Sequence, residues 1–214
     1  MIALLTAVLS SQFIVAWGAY FLATASPGPG VMAIIATSVR SGRQAGLALA
    51  LGVLTGSITW AVLTCLGVSA LIQAHPEAMV ILKALGGTYL LWLAWSALKK
   101  ALSGQAPLPP SPGAAGPLHR HYAKGYGIHL TNPKAVLAWI MLASLALPPN
   151  APWSATLTFI GGCLLIGCTV FTSFALLFSI PSVHTGYVRL RRPIEGTIAL
   201  LFGLAGVTLL QAVL

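Results

Sequence analysis

Charged side chains punctuate this chain instead of alternating with apolar ones. No Asp, Glu, Lys or Arg occurs before Arg40, between Arg43 and Glu77, between Lys134 and Arg189, or after Glu195. Each run can hold at least one apolar helix of about 20 residues, the length that crosses ~30 Å of hydrocarbon. The interval from Lys134 to Arg189 holds more than one, with "LPPNAPW" (Leu147 to Trp153) as its turn. The pattern predicts an all-α integral membrane protein of about six transmembrane helices, at 11–39, 45–71, 78–98, 125–147, 154–180 and 194–213. Alternating segments of ~10 residues are missing, which disfavours a β-barrel. The first run lacks a basic n-region and continues past the length of a signal peptide, so it reads as a retained helix.

Two of these helices contain residues that should stop them. The first carries Ser26, Pro27, Gly28, Pro29 and Gly30; the fourth carries Asn132, Pro133 and Lys134. Proline removes a backbone donor and glycine tolerates the dihedrals of a break. Irregular backbone survives at membrane depth only when buried in protein or lining a wet cavity. Ser26 before Pro27, and Asn132 before Pro133, each pair an N-cap residue with a proline suited to the first helical position. Each break can thus start a new half-helix.

Composition agrees with the pattern: 57% of residues are hydrophobic and 6% charged. The net charge of +9 would suggest a polyanionic partner in a soluble protein. Here its distribution matters more. Arg40 and Arg43 lie between helices one and two. Lys99, Lys100, Arg120 and Lys124 lie between three and four, and Arg189, Arg191 and Arg192 between five and six. Basic short loops stay cytoplasmic, so these three face inward and both termini are expected outside. The charge reports topology in the bilayer and gives no reason to expect a nucleic acid.

The chain reads as one transporter domain, 1–214. The segment 103–121, "SGQAPLPPSPGAAGPLHRH", is a Pro/Gly-rich cytoplasmic linker between a first three-helix repeat (1–102) and a second (122–214). Three is odd, so the second set enters from the opposite side, as in an inverted repeat with broken helices at its centre. Helix one then runs inward and helix four outward, and the half-helix N-termini converge. Two partial positive ends make a seat for a carboxylate.

Lys134 sharpens that expectation. It lies roughly 15 Å beyond Lys124 at helical rise, and a central lysine costs about 2.5–3.5 kcal/mol on translocon scales. The competing reading is a side chain that snorkels to the headgroups; Lys83, near its helix end, suits that role better. His129 carries an imidazole, which titrates near neutrality, and is the proton-coupling candidate; a structural polar residue is the plainer alternative. Gly52 and Gly56 form a small-xxx-small pair suited to close helix packing. Glu77 and Glu195 are the only acids, both expected near helix ends. Cys65, Cys163 and Cys168 read as small buried residues, with no disulfide framework or zinc pattern. No cofactor is implied, and no nucleophile and base pair suggests an enzyme.

The stretches "SPGPG", "SGRQAGLALALGVLTG", "LKALGGTYLLWLAWSALKKA" and "KGYGIHLTNPKAVLAW", in this order, resemble the LysE/RhtB family of bacterial amino-acid exporters over nearly the whole chain. The resemblance implies a multi-pass protein of the bacterial inner membrane that expels amino acids or close derivatives, with exchange for protons as its coupling. It also carries Pro27, Gly28, Pro29, Asn132, Pro133 and Lys134 over as substrate-binding positions, flanked by Ser26 and Gly30. Gly30 departs from the family, which often has Asn there. With acids so scarce, a neutral zwitterion fits better than a dicationic substrate. The alternative class is an exporter of metal or other small inorganic ions, for which clustered ligands are missing from the predicted membrane centre.

Overall fold

The charge-free runs fold as helices. The computed structural model describes residues 11–26, 28–75, 78–103, 116–147 and 151–211. Pro27, Glu77 and the linker residues 104–115 lie outside these, as do the side chains of some helical residues, Lys83 among them. The described residues form seven helices: α1 (Ser11–Ala25), α2 (Pro29–Ala74), α3 (Ala78–Leu102), α4 (Leu118–Leu130), α5 (Pro133–Ala146), α6 (Trp153–Leu177) and α7 (Pro181–Gln211).

Several boundaries differ from the sequence expectation. The loop expected around Arg40 to Arg43 is a single residue, Gly42, at φ 82° and ψ 178° inside α2. That left-handed φ is open to glycine and strained for most other residues. The linker expected through His121 ends earlier, because α4 starts at Leu118. Most strongly shifted is the last helix. It begins at Pro181, which suits the first helical position, and continues through Pro193. Arg189 and Arg192 stay exposed on this added segment, while Tyr187 meets Phe178 edge-on at 5.1 Å. Glu195 therefore lies within α7, not at its end, and is 1% exposed.

Two apolar clusters form the interior. One gathers Phe13, Tyr20, Trp139, Leu142, Phe159 and Phe202; the other gathers Val31, Ile34, Leu49, Val53 and Phe171. Outside, large apolar side chains face outward, among them Leu85, Trp95, Leu157, Leu165, Leu200 and Leu204. A water-soluble protein rarely exposes apolar surface on this scale; hydrocarbon is the solvent that suits it. By length and hydropathy, Pro29–Gly67 and Trp153–Leu177 suffice to cross a membrane, and Gln12–Ala25 and Pro133–Ala146 are shorter apolar helices.

Close approach of α2 to α4 holds the centre. A Cβ at Gly52 would collide with the Tyr122 carbonyl oxygen, one at Gly125 with the Leu49 carbonyl oxygen, and one at Gly56 with His129 Cβ. The packing role expected for Gly52 and Gly56 is what they perform. Its consequence for function is the placement of His129 beside the first stretch of α2.

Candidate functional site

The ends of four helices build the site. Ser26 follows the end of α1, and its amide still donates to the Leu22 carbonyl at 2.9 Å. The Gly28 carbonyl accepts the first bond of α2, from the Met32 amide at 2.9 Å. Pro29, not Pro27, takes the first helical position. It can do so because that position has no intrahelical use for an N–H. On the other side, Thr131 and Asn132 separate α4 from α5. Asn132 is the N-cap the sequence suggests: its Oδ1 accepts from the Lys134 amide at 3.1 Å, and Pro133 follows it.

Lys134 turns inward across this junction. Its Nζ donates to the Ser26 carbonyl oxygen at 3.1 Å, at the C-terminal, partially negative end of α1. It passes over Gly28, where a Cβ would lie only 3.3 Å from both Lys134 Cδ and Nζ. The ammonium is thus held by the protein interior and is not extended toward headgroups.

Two voids flank it. The first, about 50 Å³, is lined by Ser26, Gly28, Gly30, His129, Asn132 and Lys134 together with Val53, Trp139 and Phe171. The second, about 150 Å³, is bounded by Trp92, Ser96 and Lys100 of α3 with Pro29 and Pro133. Ser26, Gly28, Asn132 and Lys134 line both. These four residues are a partition between the two spaces. The first void has room for a few water molecules and must widen to take anything larger.

The structure brings together Ser26, Gly28, Gly30, His129, Asn132 and Lys134 on one void, and sets Pro29 and Pro133 on the other. Pro27 lies outside the described residues. His129 is buried, and its Nε2 has no hydrogen-bond partner among the described residues.

Sequence reasoning missed the far wall. Trp139 Nε1 donates to Ser57 Oγ at 3.1 Å, and the Ser57 and Tyr20 hydroxyls share a hydrogen bond at 3.0 Å. Thr24 Oγ1 donates to the Tyr20 carbonyl at 2.9 Å. The sequence carries no signal for it, because Tyr20, Ser57 and Trp139 lie on α1, α2 and α5 and only the fold joins them. Sequence also missed Glu195. Lys134 lies within electrostatic reach of Lys100 and Glu195, and Glu195 of Lys100, Arg191 and Lys134. Lys100 lines the second void together with Lys134, and two cations on one wall are favourable to an entering anion.

Several bacterial proteins are similar to the chain. An Escherichia coli K12 protein known as the uncharacterized membrane protein YahN is 28% identical over 90% of this chain and 86% of its own. The threonine efflux protein of the same organism is 29% identical over 89% of this chain and 93% of its own. The leucine efflux protein of Enterobacter sp. strain 638 is 34% identical over 58% of this chain and 57% of its own. No solved structure matches the chain. The family described as LysE type translocator matches residues 21–212, and the chain belongs to it.

Proposed function

We propose that this protein is a secondary transporter that exports neutral, zwitterionic amino acids across the bacterial inner membrane. The observation that carries this reading is the Lys134 ammonium, held on the Ser26 carbonyl at the wall between two voids, where the N-termini of α2 and α5 meet. An incoming carboxylate is attracted by the ammonium and by the partial positive N-terminal ends of both helices. As Lys134 turns to the carboxylate, it releases the Ser26 carbonyl, which the substrate ammonium then takes. The substrate side chain points toward Trp139, which is joined to Ser57 and packs on Tyr20. At that end the Ser57 and Tyr20 hydroxyls can receive a small polar group. Relatives named for threonine and leucine efflux support a site that accepts small or branched neutral side chains.

In this reading α1 with the first stretch of α2, and α4 with α5, are the two broken helices of a six-span inverted repeat. The halves 1–102 and 122–214 rock about the partition, opening one void and then the other. The basic segments at Arg40–Arg43, Lys99–Lys124 and Arg189–Arg192 face the cytoplasm, and both termini face outward. His129, on the void with Nε2 unpartnered, is the candidate for exchange with protons.

Counterflow in proteoliposomes tests the reading. Vesicles preloaded with threonine or leucine should take up labelled substrate, and Lys134→Met should raise the half-saturating concentration roughly ten- to a hundredfold, the worth of a charged hydrogen bond. Unchanged kinetics in the variant would remove the carboxylate role from Lys134. No exchange of any amino acid by folded protein would overturn the substrate class.

A further inference from the structure

A second charged cavity lies away from the transport site, between the first stretch of α2 and the start of α4. It measures about 350 Å³ and is lined by Thr37, Arg40, Ser41, Arg120, His121 and Lys124, with Ala33 and Ala36 deeper along α2. That volume lies in the usual range of small-molecule sites, about 300–1,000 Å³. Three permanent cations share it, and none of them makes an ion pair among the described residues.

The chain supplies no countercharge here among its described residues. It has two acids in total, Glu77 and Glu195. The cations within reach of Glu195 are Lys100, Arg191 and Lys134, none of which lines this cavity. The linker residues 104–115 contain no Asp or Glu. The cavity also meets the first turn of α4, whose N-cap, Pro117, offers no side-chain acceptor or donor to that turn, so the positive helix end stands beside it without a side-chain cap. His121 Nε2, shielded from solvent, has no hydrogen-bond partner among the described residues. These are donors and charge arranged for a multidentate oxyanion, and arginine pairs with phosphate oxygens two at a time.

We infer that this cavity binds a phosphate-bearing anion, namely the headgroup of an anionic phospholipid of the cytoplasmic leaflet. Position selects the lipid over a free phosphate. Arg40 stands where the charge-free run ends, the position at which the charge pattern expects headgroups, while Ala33 and Ala36 line the cavity on the apolar side. A ligand that fits both levels is amphipathic. Basic pockets between membrane helices are known seats for such headgroups. Because α2 and α4 belong to different halves of the chain, a bound headgroup ties the two together.

The test uses full-length protein in nanodiscs of phosphatidylcholine with and without phosphatidylglycerol, reading retained lipid by native mass spectrometry and thermal unfolding. Native protein should retain phosphatidylglycerol and unfold at higher temperature in its presence. Each basic residue removed should weaken retention roughly fivefold, so the combination R40Q/R120Q/K124Q should lose about a hundredfold. R189Q/R192Q removes charge from the same membrane face outside the cavity and should cost much less. R40K/R120K keeps the net charge and should bind at an intermediate level, a check should the triple variant fail to fold. Equal losses from the cavity and control variants would reduce the effect to the general field of a basic face and overturn the site. Equal protection by inorganic phosphate would place the phosphate in solution and overturn the lipid assignment. Neither result bears on amino-acid counterflow, which is measured separately.

Discussion

Lys134 depends for its position on what Gly28 lacks. With no Cβ at Gly28, the lysine side chain crosses the junction and reaches a carbonyl 108 residues away. A methyl there meets Lys134 Cδ and Nζ at 3.3 Å, close enough to displace the flexible end of the side chain but not the backbone. Gly28→Ala should therefore raise the half-saturating concentration several-fold with little change in unfolding temperature. Gly30→Ala meets Val53 at an ordinary 3.6 Å and should leave both nearly unchanged. Proteoliposome kinetics and thermal unfolding of the pair check this. If Gly30→Ala were the more damaging, the lysine would not be the element the glycine accommodates. At this scale Lys134 and Asn132 were legible because each breaks a rule that hydrocarbon enforces: one is a charge at depth, the other a cap where a continuous helix is cheaper. Tyr20, Ser57 and Trp139 were not legible. Alone each is an ordinary membrane-helix residue, and only the fold joins them across α1, α2 and α5.

Among the elements, the junctions and the α2–α4 contact determine where the site residues stand. Asn132→Ala removes the bond to the Lys134 amide and should cost about 1 kcal/mol, while Asn132→Ser keeps an acceptor and should recover most of it. The cap also sets the direction of the lysine, so the alanine variant should lose transport beyond its loss of stability. Backbone approach is less forgiving. Gly52→Ala or Gly125→Ala drives a methyl into a carbonyl oxygen and should cost about 1–3 kcal/mol by overpacking. Gly127→Ala, with nothing within 4 Å of the new carbon, should be neutral or stabilising. Unfolding in detergent separates these cases. The sequence identified the Gly52–Gly56 pair because two small residues one turn apart mark a contact face. It placed several helix ends wrongly for a related reason: charge marks where a helix leaves the bilayer, not where it stops being helical. α4 and α7 both extend into segments that the arginines and histidines had suggested were loops, and this put Glu195 inside a helix.

For the whole molecule, the apolar exterior was the most legible property, since long charge-free runs leave few alternatives to a membrane. Less legible was which spaces lie inside, because a void is defined by side chains from helices far apart in sequence. The partition of Ser26, Gly28, Asn132 and Lys134 gives the two voids different expected access. Ser96 lines the second void beside Lys100, at the end of α3 assigned to the cytoplasm. Ala23 lines the first, behind the partition. In a background with Cys65, Cys163 and Cys168 replaced, Ser96→Cys should react with a membrane-impermeant thiol reagent in inside-out vesicles, and Ala23→Cys should be slow. Threonine should retard labelling at Ala23→Cys by filling its void, and should alter Ser96→Cys labelling as the halves rock. This opposed response distinguishes alternating access from a pore, in which a substrate shields both positions while both remain open to either side. Fast labelling of Ala23→Cys from the two membrane faces, indifferent to threonine, would mean that the lysine partition closes nothing and that the two voids are one path.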